Sequence, residues 1–160
     1  MIDFPTDAYI ATMTLDDPHV LRRAEHVEQE RRITIADLLR SNQFSLLAED
    51  AQGPYDVTLS LYDNRLHIHL TSSAMAEPYV IKMPVAAFRG IIKDYFLMCE
   101  SYFDALKHAD PYKLQALDMG RRGMHNEGSE LLTNLIKEHA VMDFDTSRRL
   151  FTLICVLHIR

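Results

Sequence analysis

Two stretches of alternating polarity, separated by two turn-forming residues, constrain this chain more than any other feature. Tyr55-Asp56-Val57-Thr58-Leu59-Ser60-Leu61-Tyr62 and Arg65-Leu66-His67-Ile68-His69-Leu70-Thr71 flank Asp63-Asn64. Successive side chains of a strand point to opposite faces, so each stretch carries one apolar and one polar face. Asp and Asn tolerate the positive φ that a two-residue hairpin turn demands. Such a turn pairs Tyr62 with Arg65, which sets Leu61 opposite Leu66, Leu59 opposite Ile68 and Val57 opposite Leu70. A slip of one residue would expose that whole apolar set, so pattern and turn specify the same register. A hairpin with one greasy face requires further strands and a covering layer of helices.

Candidates for both lie on either side. Residues 8–15 alternate and are rich in β-branched side chains, and residues 44–48 and 79–83 have strand character. Together they predict an antiparallel sheet of four to five strands. Asp16-Asp17-Pro18 supplies a capping carboxylate and a proline for a helix running to about Asn42, burying Val20, Ala24, Val27, Ile35 and Leu38 and leaving Glu28-Gln29-Glu30-Arg31-Arg32 in solvent. From Pro84 onward the period is helical. Phe88, Ile92, Tyr95, Phe96, Cys99, Tyr102, Phe103 and Leu106 recur at spacings of three and four. Asp110-Pro111 starts another helix, and Gly120, Gly123 and Gly128 predict a turn or distortion near residues 121–129 before the helix resumes to about His139. Asp143 or Asp145 caps a last helix whose residues 150–157 are apolar almost all round and should be buried. With no Pro/Gly/Ser linker and no repeat, the expectation is a single α+β domain over residues 1–160, its sheet packed against the C-terminal helices.

The chain has 160 residues, enough to bury a core without metals or disulfides. Cys99 and Cys155 sit in helical patterns and read as reduced core thiols. The start MIDFPTDAYI lacks the basic and apolar regions of a signal peptide, and no apolar run approaches a membrane span, so a cytoplasmic location away from membranes is expected. Residues 1–80 hold 6 Arg/Lys against 13 Asp/Glu, and residues 81–160 hold 11 against 10. That balance disfavours general nucleic-acid binding, because affinity for a phosphate backbone comes mainly from excess cations. Tyr9, Met13, Met75, Tyr79 and Met83 exceed what one small core is expected to cover, which predicts a homodimer.

Ile92-Lys93-Asp94-Tyr95-Phe96, Cys99-Glu100-Ser101-Tyr102, the run from Asp118 to Ser129, and the stretch from Thr146 through Arg149-Leu150-Phe151 to His158 resemble the bacterial uncharacterised protein family 0262 of the UPF series. The likeness covers most of the chain and is strongest from about residue 90 onward. It implies a small bacterial cytoplasmic protein, and it transfers no catalytic residue.

The residues themselves offer one unusual segment, Asp118-Met119-Gly120-Arg121-Arg122-Gly123-Met124-His125-Asn126-Glu127-Gly128. A second arginine pair, Arg148-Arg149, falls in the first turn of the last helix, where the helix dipole disfavours cations. Guanidiniums bind phosphate or carboxylate bidentately. Arg121, Arg122, His125, Asn126, Glu127, Arg148 and Arg149 are therefore the candidate ligand-binding residues, for a small anionic ligand. The competing reading is structural: the arginines pair with Asp118, Glu127, Glu130, Asp143 and Asp145 and lock the helices together. His67 and His69 share a strand face, and Cys155 and His158 a helix face, but neither pair has a local third ligand, so no metal or other cofactor is expected. The sequence thus predicts a non-enzymatic binding or regulatory module. The alternative is a small phosphoester hydrolase or phosphotransferase using His125 and Glu127 for proton transfer.

Overall fold

A computed structural model of the chain describes residues 3–16, 25–108 and 110–158. The hairpin is as its pattern demands. Strand β3 (Tyr55–Tyr62) runs antiparallel to β4 (Arg65–Thr71), with Leu61 opposite Leu66, Leu59 opposite Ile68 and Val57 opposite Leu70. Asp63 and Asn64 both take positive φ, 54° and 59°. Strand β5 (Tyr79–Pro84) joins β4 antiparallel, and β1 (Ile10–Asp16) joins the other edge, alongside β3, in parallel. The order is β1-β3-β4-β5. The sheet is therefore mixed rather than wholly antiparallel. A parallel pair needs a crossover connection, and helix α1 (Glu25–Arg40) lies in the stretch between β1 and β3.

The strand expected at residues 44–48 is three residues long, β2 (Phe44–Leu46), and it does not join the main sheet. It pairs antiparallel with β6 (Ala140–Met142), a strand in the connection to the last helix. Together they tie the end of α1 to the start of α4 (Phe144–His158). Gln43 reinforces that junction, since its N–H faces both Asp143 Oδ1 and Thr146 Oγ1, at 3.2 and 3.0 Å.

Helix α2 (Arg89–Lys107) buries Ile92, Tyr95, Cys99 and Ala105, while Leu106 is exposed. The proposed start of α1 at Asp17-Pro18, with Val20 and Ala24, lies outside the described residues; Val27 and Leu38 are buried as expected. Helix α3 (Pro111–Ile136) has Pro111 in its first turn and Asp110 as its cap, the carboxylate accepting from the Lys113 N–H at 3.2 Å.

Contrary to expectation, α3 runs without interruption through all three glycines. Two of them are sites of close approach. A Cβ at Gly128 would collide with the Phe151 ring of α4, and one at Gly120 would stand 2.8 Å from the Met98 methyl of α2. Glycine costs a helix about 1 kcal/mol relative to alanine. Here that cost is offset by letting neighbouring helices seat closely.

Helix α4 is the hub. It contacts α1, α2, α3 and β3, and Leu150, Phe151, Leu153, Ile154, Cys155, Val156 and Leu157 are all buried. The apolar sheet face, through Val57, Leu59, Leu66, Ile68, Leu70, Ile81 and Met83, belongs to the same hydrophobic cluster. Of the five residues expected to be in surplus, Met13 and Met83 are core, Met75 and Tyr79 pack on it, and Tyr9 stays exposed. Among the described residues, no helix is long and apolar enough to cross a membrane.

Candidate functional site

Four helices bring one polar side chain each into a single line of contacts. Tyr95 of α2 donates its hydroxyl hydrogen to Glu30 Oε1 of α1 at 2.8 Å. Having one hydrogen, the Tyr95 oxygen is left to accept, and His125 Nε2 of α3 lies 3.0 Å away. That assigns the Nε2–H tautomer to His125 and leaves the Nδ1 lone pair facing Arg148 Nη2 of α4, across a long contact of 3.5 Å. Each member thus presents a hydrogen to the next, from Arg148 through His125 and Tyr95 to Glu30.

The local environment keeps this line in one protonation state. Burial, and then the positive charges of Arg148 and Arg121, push the His125 imidazole down to about 4, so it is neutral near pH 7. Burial, followed by the Glu30 carboxylate, raises the Tyr95 phenol far above its ordinary value, and it stays protonated. Cys99, pushed up to about 11 by burial, and Cys155, fully buried and raised well above its usual value, are held as thiols and carry no nucleophilic charge.

One side of this line opens into a cleft of ≈ 190 Å³ between α1, α3 and α4. Glu30, Thr34 and Asp37 line it from α1, His125 from α3, and Asp145, Arg148, Arg149 and Thr152 from α4. Arg149 donates to the Ser41 carbonyl just beyond the end of α1, at 3.2 Å, a favourable place for a cation because helix carbonyls end there unpaired. Arg148 lies over the Phe144 ring at 5.9 Å, and its Nε is buried with no hydrogen-bond partner among the described residues. No carboxylate approaches either guanidinium to within 4 Å among the described residues.

Of the residues singled out from the sequence, the cleft gathers His125, Arg148 and Arg149. Arg121 lies one turn before His125, close enough to act on its charge, but it is engaged elsewhere: it bridges Asp118 at 3.1 Å and stacks over Tyr102 at 4.6 Å. Arg122 reaches the other Asp118 oxygen at 3.2 Å and is 72% exposed. Asn126 and Glu127 are exposed and do not line the cleft. At 100° per residue, Glu127 stands about 200° around α3 from His125, so the two do not face one substrate.

Sequence reasoning missed Glu30, Thr34, Asp37, Tyr95, Asp145 and Thr152 as parts of one site. One signal was available. Asp118 with Arg121 and Arg122, and Asp145 with Arg148 and Arg149, repeat the same spacing of an acid followed by arginines three and four residues on.

Comparison with known proteins bears on the whole chain. Relatives are found in Azorhizobium caulinodans, 45% identical over 99% of this chain and 98% of that protein, and in Caulobacter vibrioides, 46% identical over 94% and 93%. A third, from a Chelativorans species, is 47% identical over 90% of this chain and 89% of its own length. All three carry the name UPF0262 protein. No solved structure matches. The match takes in both arginine pairs and every helix of the cleft, because the family's sequence model spans residues 7–160, and the chain belongs to that uncharacterised protein family, UPF0262.

Proposed function

We propose that the protein is a cytoplasmic, non-enzymatic binding or regulatory module, folded as one unit, that recognises a small anionic group in the cleft between α1, α3 and α4. The observation that carries this reading is Arg148. Its Nε is buried without a partner, and no carboxylate lies within 4 Å of its guanidinium among the described residues. A charged donor group left short of partners costs about 1–3 kcal/mol or more, and a ligand oxygen meeting the part of the guanidinium that lines the cleft would offset it. Arg149 stands beside it, and the cleft is smaller than the pockets that hold drug-sized molecules, which suits a small metabolite. His125 acts here as a positioning residue, its neutral ring backing Arg148 without competing for the anion.

Thermal unfolding with inorganic phosphate or acetate tests the reading. The melting temperature of the parent protein should rise with concentration, and Arg148→Gln should remove that rise while changing the unliganded melting temperature by no more than about 4 °C. A parent that gains nothing from either anion, or an Arg148→Gln variant that keeps the gain, overturns it.

A further inference from the structure

We infer that the ligand of this cleft is a zwitterion, a small molecule bearing an ammonium group as well as a phosphate or carboxylate; the inference rests on the anion-site reading and narrows it. Arg148 and Arg149 share the cleft with three carboxylates, those of Glu30, Asp37 and Asp145. Asp37 is paired with Arg40 of its own helix, at 3.6 Å, and His125 adds no charge, so a simple anion entering there meets as much negative as positive charge. Asp145 is the telling residue. It is exposed, it precedes the two arginines by three and four residues on one helix, and yet it pairs with neither within 4 Å. At that spacing an acid and a base ordinarily meet. Asp118 does meet Arg121 and Arg122, at 3.1 and 3.2 Å.

The reason for the separation is visible. Arg148 turns toward His125 and Phe144, and Arg149 toward Ser41, which leaves Asp145 on the same wall with no cation within 4 Å among the described residues. The α4 wall of the cleft therefore presents opposite charges held apart rather than neutralised. A ligand with both signs satisfies both, its anionic end on the guanidiniums and its ammonium on Asp145, with Glu30 across the cleft adding to the negative field. Thr34 and Thr152 complete the lining.

Two matched pairs of probes decide the matter by calorimetric titration of the full chain: phosphoethanolamine against ethyl phosphate, and 4-aminobutyrate against butyrate. The aminated member of at least one pair should bind about two- to fivefold more tightly, the gain expected from one exposed ion pair. Whichever pair shows the gain identifies the anionic end. Asp145→Asn should bring the two members of that pair together while ethyl phosphate or butyrate binds at least as well as before. Equal affinity within both pairs, in the parent protein, overturns the zwitterion and leaves the anion site standing. Binding of none of the four overturns both. The comparison in the parent needs no variant, so it holds even if Asp145→Asn fails to fold.

Discussion

The two acid–arginine–arginine groups, on α3 and on α4, have the same local chemistry and opposite fates. On α3, Asp118 holds Arg121 and Arg122, one guanidinium on each oxygen, and the group is closed. On α4, the same spacing leaves Asp145 apart from Arg148 and Arg149, and the group is open. A same-helix ion pair of this kind, partly open to water, contributes only about 0.3–0.5 kcal/mol. Any sound tertiary partner outcompetes it. Arg149 finds the carbonyl beyond the end of α1, and Arg148 finds an imidazole and a ring, because α4 is packed on other helices from several sides; much of the middle of α3 faces water. Spacing along a helix proposes a salt bridge, and packing against other helices decides whether it forms.

Separating α4 from α3 is the most drastic way to break this contrast. A methyl group at Gly128 has no room beside the Phe151 ring, so Gly128→Ala should destabilise the protein by about 3 kcal/mol or more, measured from denaturant midpoints. It should also relax the contact between His125 and Arg148. Gly123→Ala, which meets nothing within 4 Å, is the control and should stabilise by about 0.5–1 kcal/mol. If the two substitutions behave alike, the close seat of α4 is not what holds the second group open.

Acid tests the open group next. His125 titrates at about 4 when folded, against 6.5 for an ordinary histidine. The unfolded chain therefore takes up the proton first as pH falls. The stability held by the neutral ring is complete above about pH 6.5 and drains away between about 6.5 and 4, by roughly 3 kcal/mol at most. His125→Gln, whose amide nitrogen can still donate to Tyr95, should lose that part of the slope while other acid-sensitive groups keep theirs. Identical pH profiles for parent and variant would falsify the assignment.

The smallest effect sharpens the comparison itself. A double-mutant cycle of Asp118→Asn with Arg121→Gln should show a coupling of about 0.3–0.5 kcal/mol, and the corresponding cycle of Asp145→Asn with Arg148→Gln should show none beyond error. Equal couplings would mean that the second group closes in solution.

The parts of this fold legible in the sequence are those in which a local pattern and its neighbours agree. The hairpin is one, since alternation and the Asp63-Asn64 turn demand a single register. The buried last helix and the Asp110-Pro111 start of α3 are others. Where tertiary contact overrode local preference, the pattern misled. Gly120, Gly123 and Gly128 read as interruptions because each weakens a helix, and the rings and side chains that make use of Gly120 and Gly128 come from other helices. Alternation in β1 announces a strand but carries no direction, so its parallel pairing was not legible. The site divides in the same way. Its arginines and His125 stood out as odd residues in helical context. Glu30 was hidden in a charged run that reads as a solvated face, and Tyr95 in an apolar stripe that reads as core.

The parallel strand has a consequence for the order in which the molecule can be assembled. Among the described residues, β3 is the one strand that pairs with β1, with Ile10 beside Tyr55 and Asp16 beside Ser60. A chain emerging from the ribosome releases β1 well before the residues that will complete it. Until then Met13 and Leu15 have no sheet to face and the strand's hydrogen bonds go to water, with Asn42 the earliest side chain able to hold Ile10. The first strand made is thus obliged to wait, and its place is kept by whatever the hairpin, once formed, leaves open at its edge.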